Sequence, residues 1–254
     1  MPTKSEPSAP PRRAARSSRA TAAVGAAGGA ATPGADKPAR KPRPPRLPRD
    51  ERRAQILAQA SRFFAEHGLT AQTRALADAC GISQRLLYSF FPSKAALVEE
   101  LYRTQIAGPF KAAWFADLKD RRVPMEQRLV RFYGEYYEGV TTRHWLRLFL
   151  FASLAQMSMA PSYIGAIVTQ MLEVIVAEAA HEQDLALPAD AARVQEIGWI
   201  LHGAVSHLAI RRHVYANDNP TPPAAVIEMQ VRVFLAGLPR LLPARRSAGI
   251  PQPD

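Results

Sequence analysis

The sequence is short of several things, and each shortage excludes a class of protein. Cys80 is the one cysteine in 254 residues. No intramolecular disulfide can form, which suits a reducing cytoplasm, the expected location. No long stretch is apolar throughout, so neither a membrane-spanning helix nor a membrane partner is expected. The Ala/Gly run from Ala22 to Ala31 is too weakly apolar to be expected as a secretion signal. Glycine-rich phosphate loops and the G-x-S-x-G elbow are missing, so no enzyme is expected. His144, His202, His207 and His213 stand without cysteine or acidic partners at metal-ligand spacing, so neither a metal nor a cofactor is expected. Acidic residues are scarce at one end. Residues 1–49 hold eleven Lys and Arg against two acids, a net +9, which leaves +2 of the whole-chain +11 for the rest. A basic segment on a nearly neutral body points to a polyanionic partner, nucleic acid before membrane.

What is present reads as helix. Residues 1–48, rich in Ala, Pro, Gly, Ser and Arg, show no helical or strand period and are expected to be a disordered basic arm. From Asp50 to His67, residues Ile56, Leu57, Ala60, Phe63 and Phe64 share one helical face, and Gly68 stops the helix. A short helix fits Thr73 to Cys80, a tight turn Gly81-Ile82-Ser83, and a second short helix Gln84 to Phe90. Pro92-Ser93 opens a fourth helix reaching about Ile106, before Gly108-Pro109. Further helices are expected over Met125–Val140, Trp145–Met157, from Pro161 through Ile175, from Asp190 to about Tyr215, and after Pro222-Pro223. The fold class is therefore all-α, with about nine helices. The expected layout is an arm at 1–48, an N-terminal three-helix domain at 49–106, a second helical domain at 107–242, and a flexible tail at 243–254.

Thr73 to Phe91 has the parts of a helix-turn-helix. Ala77 sits where two short helices cross, Gly81 supplies the turn, and Ile82 and Leu87 face the first helix. Gln84, Arg85 and Ser89 then fall on the other face of the second helix, where Gln can read adenine and Arg guanine in the major groove. Cys80 reads as a small core residue rather than a redox switch. Arg52 and Arg53 read equally well as solvated helix-start residues or as phosphate ligands.

The wider context resembles the TetR family. Ile56-Leu57, Phe63-Phe64, Glu66-His67-Gly68, Thr73-Arg74, Leu76-Ala77, Gly81-Ile82-Ser83, Leu87-Tyr88, Phe91 and Ser93-Lys94 carry the likeness. It is close across residues 50–103 and architectural beyond. The resemblance implies that the N-terminal three-helix helix-turn-helix domain at 49–106 binds DNA and the helical domain at 107–242 binds ligand and dimerises. That makes a ligand-responsive regulator, a repressor binding palindromic operator DNA as a homodimer and released by a small-molecule effector. It implies Thr73 and Arg74 beside a phosphate, Gln84 and Arg85 leading the recognition helix, and Tyr88 and Lys94 on phosphates. Leu86 stands at a position often held by a smaller residue and can touch a thymine methyl, and Phe90 replaces the usual His or Tyr.

Trp145, Phe149, Met157 and Trp199 are candidate walls of an effector site, with His144 and His202 as polar anchors. The last two long helices, with a stripe from Ile227 to Leu238, extra apolar residues Val226 and Val233, and small Gly198, Gly203 and Ala204, are expected to form a two-fold dimer. A competing reading is a sequence-indifferent architectural DNA binder relying on the basic arm. Another is an adaptor using the helix-turn-helix for protein contacts.

Overall fold

A computed structural model describes residues 47–245; the basic arm expected over residues 1–48 lies almost wholly outside them. Eleven α-helical segments follow one another, with no β-strand among the described residues: α1 (Arg49–His67), α2 (Thr73–Ala79), α3 (Gln84–Phe90), α4 (Lys94–Leu101), α5 (Ala113–Leu118), α6 (Met125–Gly139), α7 (Arg143–Leu154), α8 (Met159–Tyr163), α9 (Thr169–Glu182), α10 (Ala191–His213) and α11 (Pro223–Leu241). A wider π-helical turn extends α4 over Tyr102–Ala107, and another joins α8 to α9 over Ile164–Val168.

Local chemistry sets the helix ends. Gly68 and Gly81 adopt φ of 80° and 64°, a left-handed geometry that a side chain disfavours. Ser83 accepts from the Leu86 amide and Ser93 from the Ala96 amide, so each serine caps the helix it precedes. Thr142 and Asp190 cap α7 and α10 in the same way. Helix α5 has no counterpart among the expected helices: at six residues it is too short to show a period, yet it buries Trp114 and Leu118. The segment Met159–Glu182 is long and apolar enough by length and composition to cross a membrane, although it is not apolar throughout. Here it packs on α10, α5 and α6, and its buried Glu178 and its Glu182 are paired with Arg128.

The core gathers around these contacts. In α1–α4, Ile56, Phe64, Leu76, Ala77, Leu87 and Phe91 are buried. Farther along, α6 and α10 contribute Phe132, Tyr133, Tyr136, Leu201 and Val205. Gly198 lets α10 press against α9: a Cβ there would stand 2.7 Å from that of Leu172. That close approach, expected at a dimer contact, instead lies within the chain. The expected free tail begins pinned, because the Ala186 amide donates to Pro243 and the Arg245 amide to Asp184.

α1 packs against α7. The Arg147 guanidinium donates to the Ala65 and Glu66 carbonyls at the end of α1, where such groups lack helical partners. Ser61 and His144 Nε2 hydrogen-bond at 2.7 Å across the same seam.

Candidate nucleic-acid interface and ligand cavity

The turn formed by Gly81 and the anchor Leu87, 1% exposed, fix how α3 is presented. With Leu87 inward, Gln84, Arg85, Leu86, Tyr88 and Ser89 are all exposed. Arg85 lies two residues before the anchor, about 200° around the helix, and points outward. Leu86 is an exposed apolar side chain on this otherwise polar surface. Thr73, Gln84 and Tyr88 form one cluster: the Gln84 amide donates to Thr73 Oγ1, and the Thr73 and Tyr88 hydroxyls lie 3.1 Å apart. Arg74 is exposed beside them, and the Ser89 hydroxyl turns back to the Leu86 carbonyl.

Two cations bear on the sequence expectation. Lys94 is not extended toward solvent: its Nζ donates to the Ala71 carbonyl at 2.8 Å and lies over the Phe64 ring. Partial burial holds its pKa below the ordinary lysine value. Arg53 pairs with Glu100 and stacks on Phe91, which favours the structural of its two readings. The sequence motif does not point to Arg49 at all. Its guanidinium donates to the Ser89 carbonyl and lies over Phe90, which brings a cation to the end of α3. Only its distance in sequence from the motif hides it. Cys80 is half-buried and burial raises its pKa, which suits a packing residue.

The wall candidates divide. Trp145, Phe149, Trp199 and His202 line a common cavity of about 140 Å³ between α6, α7, α8 and α10. Trp145 and Phe149 stack at 4.7 Å, and Tyr163 meets both edge-on. Met157 lies elsewhere, in a groove with Val98, Tyr102 and Met159. His144 is on the α1 side of α7, engaged with Ser61, and is a contact between helices rather than a cavity anchor. Burial and the nearby Arg62 lower its pKa. The spacing of α7 explains the split, because adjacent residues 144 and 145 point about 100° apart. Tyr136 and Tyr163, which also line the cavity, escape sequence reasoning because aromatic residues at helical spacing read as core. Burial pushes the His202 imidazole down to about 4, so it is neutral at pH 7.

Residues 56–101 match the sequence model for "Bacterial regulatory proteins, tetR family". Over these residues the chain is similar to the TetR family. It is similar to the HTH-type transcriptional repressor KstR2 of Mycobacterium tuberculosis, 34% identical over 96 residues. That similarity covers 37% of this chain and 47% of the relative, so the chain spans about half of the relative's length. A TetR-like transcriptional regulator from Rhodococcus sp. RHA1 superposes with a TM-score of 0.58 at 21% identity, over 76% of this chain and 100% of the other. The ketosteroid transcriptional regulator KstR2 of M. tuberculosis superposes with a TM-score of 0.54 at 23% identity, over 73% and 94%. These two likenesses establish the fold alone.

The TetR-family match includes α2 and α3 and ends at Leu101. The cavity lies wholly beyond it. Its chemistry belongs to this chain and must be read from its own side chains.

Proposed function

We propose that the protein is a ligand-responsive transcriptional repressor that binds a palindromic operator as a homodimer and is released by a small-molecule effector. The observation that carries this is the exposed polar face of α3, with Gln84 and Arg85 at its start and Thr73, Arg74 and Tyr88 grouped beside it. Arg85 contacts a base edge and Gln84 an adenine. Leu86 packs on a thymine methyl, and Ser89 faces the groove. Thr73, Arg74, Tyr88 and Lys94 hold phosphates, with Lys94 exchanging its bond to Ala71 for one, and Arg49 adds a cation to the same surface.

Dimerisation uses α10 and α11. Ile200, Met229 and Val233 are 53%, 53% and 74% exposed on one apolar surface. Two copies of this helix pair form a four-helix interface that covers them. Light scattering at micromolar concentration should give a dimer; a monomer overturns this interface. The effector occupies the cavity walled by Trp145, Phe149, Trp199 and His202. The protein acts in the cytoplasm, where its DNA is.

Selection of bound DNA from a random pool tests the function. A palindrome with half-sites about one helical turn apart, or slightly more, is expected. A pool without any enriched motif overturns the proposal in favour of architectural binding through the basic arm.

A further inference from the structure

The cavity that the proposed function assigns to the effector has a chemistry of its own. Its lining is mainly aromatic and aliphatic, with the hydroxyls of Thr141, already donating to the Tyr137 carbonyl, and Ser206 among it, and none of its side chains is charged once His202 is neutral. Its volume is about 140 Å³. Apolar protein cavities near 150 Å³ admit benzene, so one ring fits and a fused system does not.

Four polar groups in or beside this mostly apolar space lack good partners. His202 is 3% exposed, and its Nδ1 is buried with no hydrogen-bond partner among the described residues. The hydroxyls of Tyr136 and Tyr163, both on the cavity wall, face each other at 3.4 Å. That is long for a bond between hydroxyls, which usually falls near 2.7–2.8 Å. Tyr133, packed against His202 and Tyr136, also has a buried hydroxyl without a partner among the described residues. Buried polar groups of this kind cost free energy until something satisfies them.

We infer that the cavity takes an uncharged single-ring molecule carrying one hydroxyl, a phenol or a cyclic alcohol. The ring fills the space among Trp145, Phe149 and Trp199. The hydroxyl both donates and accepts, so it satisfies His202 in either neutral tautomer and completes the loose Tyr136–Tyr163 pair. A carboxylate is excluded because no cation lines the site to replace its lost hydration.

The inference rests on the effector reading, and calorimetry without DNA keeps the two separable. Phenol, benzene, benzoate and 2-naphthol are titrated into the full-length protein. One neutral hydrogen bond changes affinity by about 2- to 12-fold, so phenol should bind more tightly than benzene by a factor in that range. Benzoate and 2-naphthol should both bind at least about tenfold more weakly than phenol, for charge burial and for size respectively. His202→Leu and, separately, Tyr163→Phe should bring phenol down toward benzene while leaving benzene unchanged. The Tyr163 variant keeps its ring, which guards against a folding defect. Benzoate or 2-naphthol binding as tightly as phenol, phenol indistinguishable from benzene, or no heat from phenol at millimolar concentration overturns the ligand class. Phenol that binds as described but leaves DNA affinity unchanged supports the ligand class and overturns the effector reading alone.

Discussion

The two ends of this molecule use their sequence in opposite ways. Between Arg49 and Leu101 the informative residues are near neighbours: a glycine turn, two serine caps and the anchor Leu87 within about a dozen positions present the face of α3. Beyond Pro109 the informative contacts span the chain. Arg128 on α6 reaches Glu178 and Glu182 on α9, and His202 on α10 meets Tyr133 and Tyr136 on α6. Recognition surfaces can be built by local rules, whereas a cavity is what remains between helices after they pack. The first is legible as a motif and the second is not.

That contrast can be broken by single substitutions, and the largest effect belongs to the long-range side. Arg128 is 2% exposed and ties α6 to α9 and to the Leu118 carbonyl. Arg128→Met should cost about 3–5 kcal/mol, because Glu178 loses its buried partner. Glu178 keeps the more exposed Arg121, which places the effect toward the lower end. Thermal denaturation checks this, and an unchanged melting temperature would show that the network holds nothing together.

Next comes Gly198→Ala. The new methyl would meet Leu172 at 2.7 Å, so α9 and α10 must separate, at a cost of about 1–3 kcal/mol. Gly203→Ala, on the same helix with nothing within 4 Å, should be neutral or slightly stabilising. Equal melting temperatures for the two variants would show that α9 and α10 do not depend on Gly198 for their approach.

These positions also show where the sequence stops informing. The helix-turn-helix, its caps and the outward face of α3 are readable because each depends on residues one or two turns apart. Gly198 is legible as a close-approach residue, but not which helix approaches, since nothing local distinguishes an intrachain neighbour from a second copy. His144 reads as a cavity anchor because it precedes Trp145, although one residue on a helix turns the side chain toward α1. Met157 reads as part of α7, which ends at Leu154, with Gln156 at a φ of 54°. Lys94 stands at the expected end of α4, but its bond to Ala71 depends on a loop whose path the sequence does not encode in any period.

A smaller effect separates the ends by pH. Hydrogen bonds from Arg103 and then Arg53 hold the Glu100 carboxylate down from 4.5 to about 2. A depressed carboxylate stabilises the fold above its ordinary value and loses that contribution as the pH falls through 4.5 toward 2. The stability difference between the wild type and Glu100→Gln should therefore be full at pH 7 and shrink over that window. A difference that stays constant with pH would contradict the pairing.

The sharpest functional changes belong to α3 and the start of α4. Lys94→Ala should weaken all DNA sequences alike and reduce the salt slope by about one for each phosphate no longer neutralised. Arg85→Ala should leave the fold intact and relax one base pair in each half-site, a bidentate Arg–guanine contact being worth about 1–3 kcal/mol of discrimination. Repeating the random-pool selection with wild type and Arg85→Ala side by side tests the central claim most directly. The same palindrome is expected, with preference lost at one symmetric position. An unchanged motif, or the same loss produced by Lys94→Ala, would contradict the orientation of α3 described above.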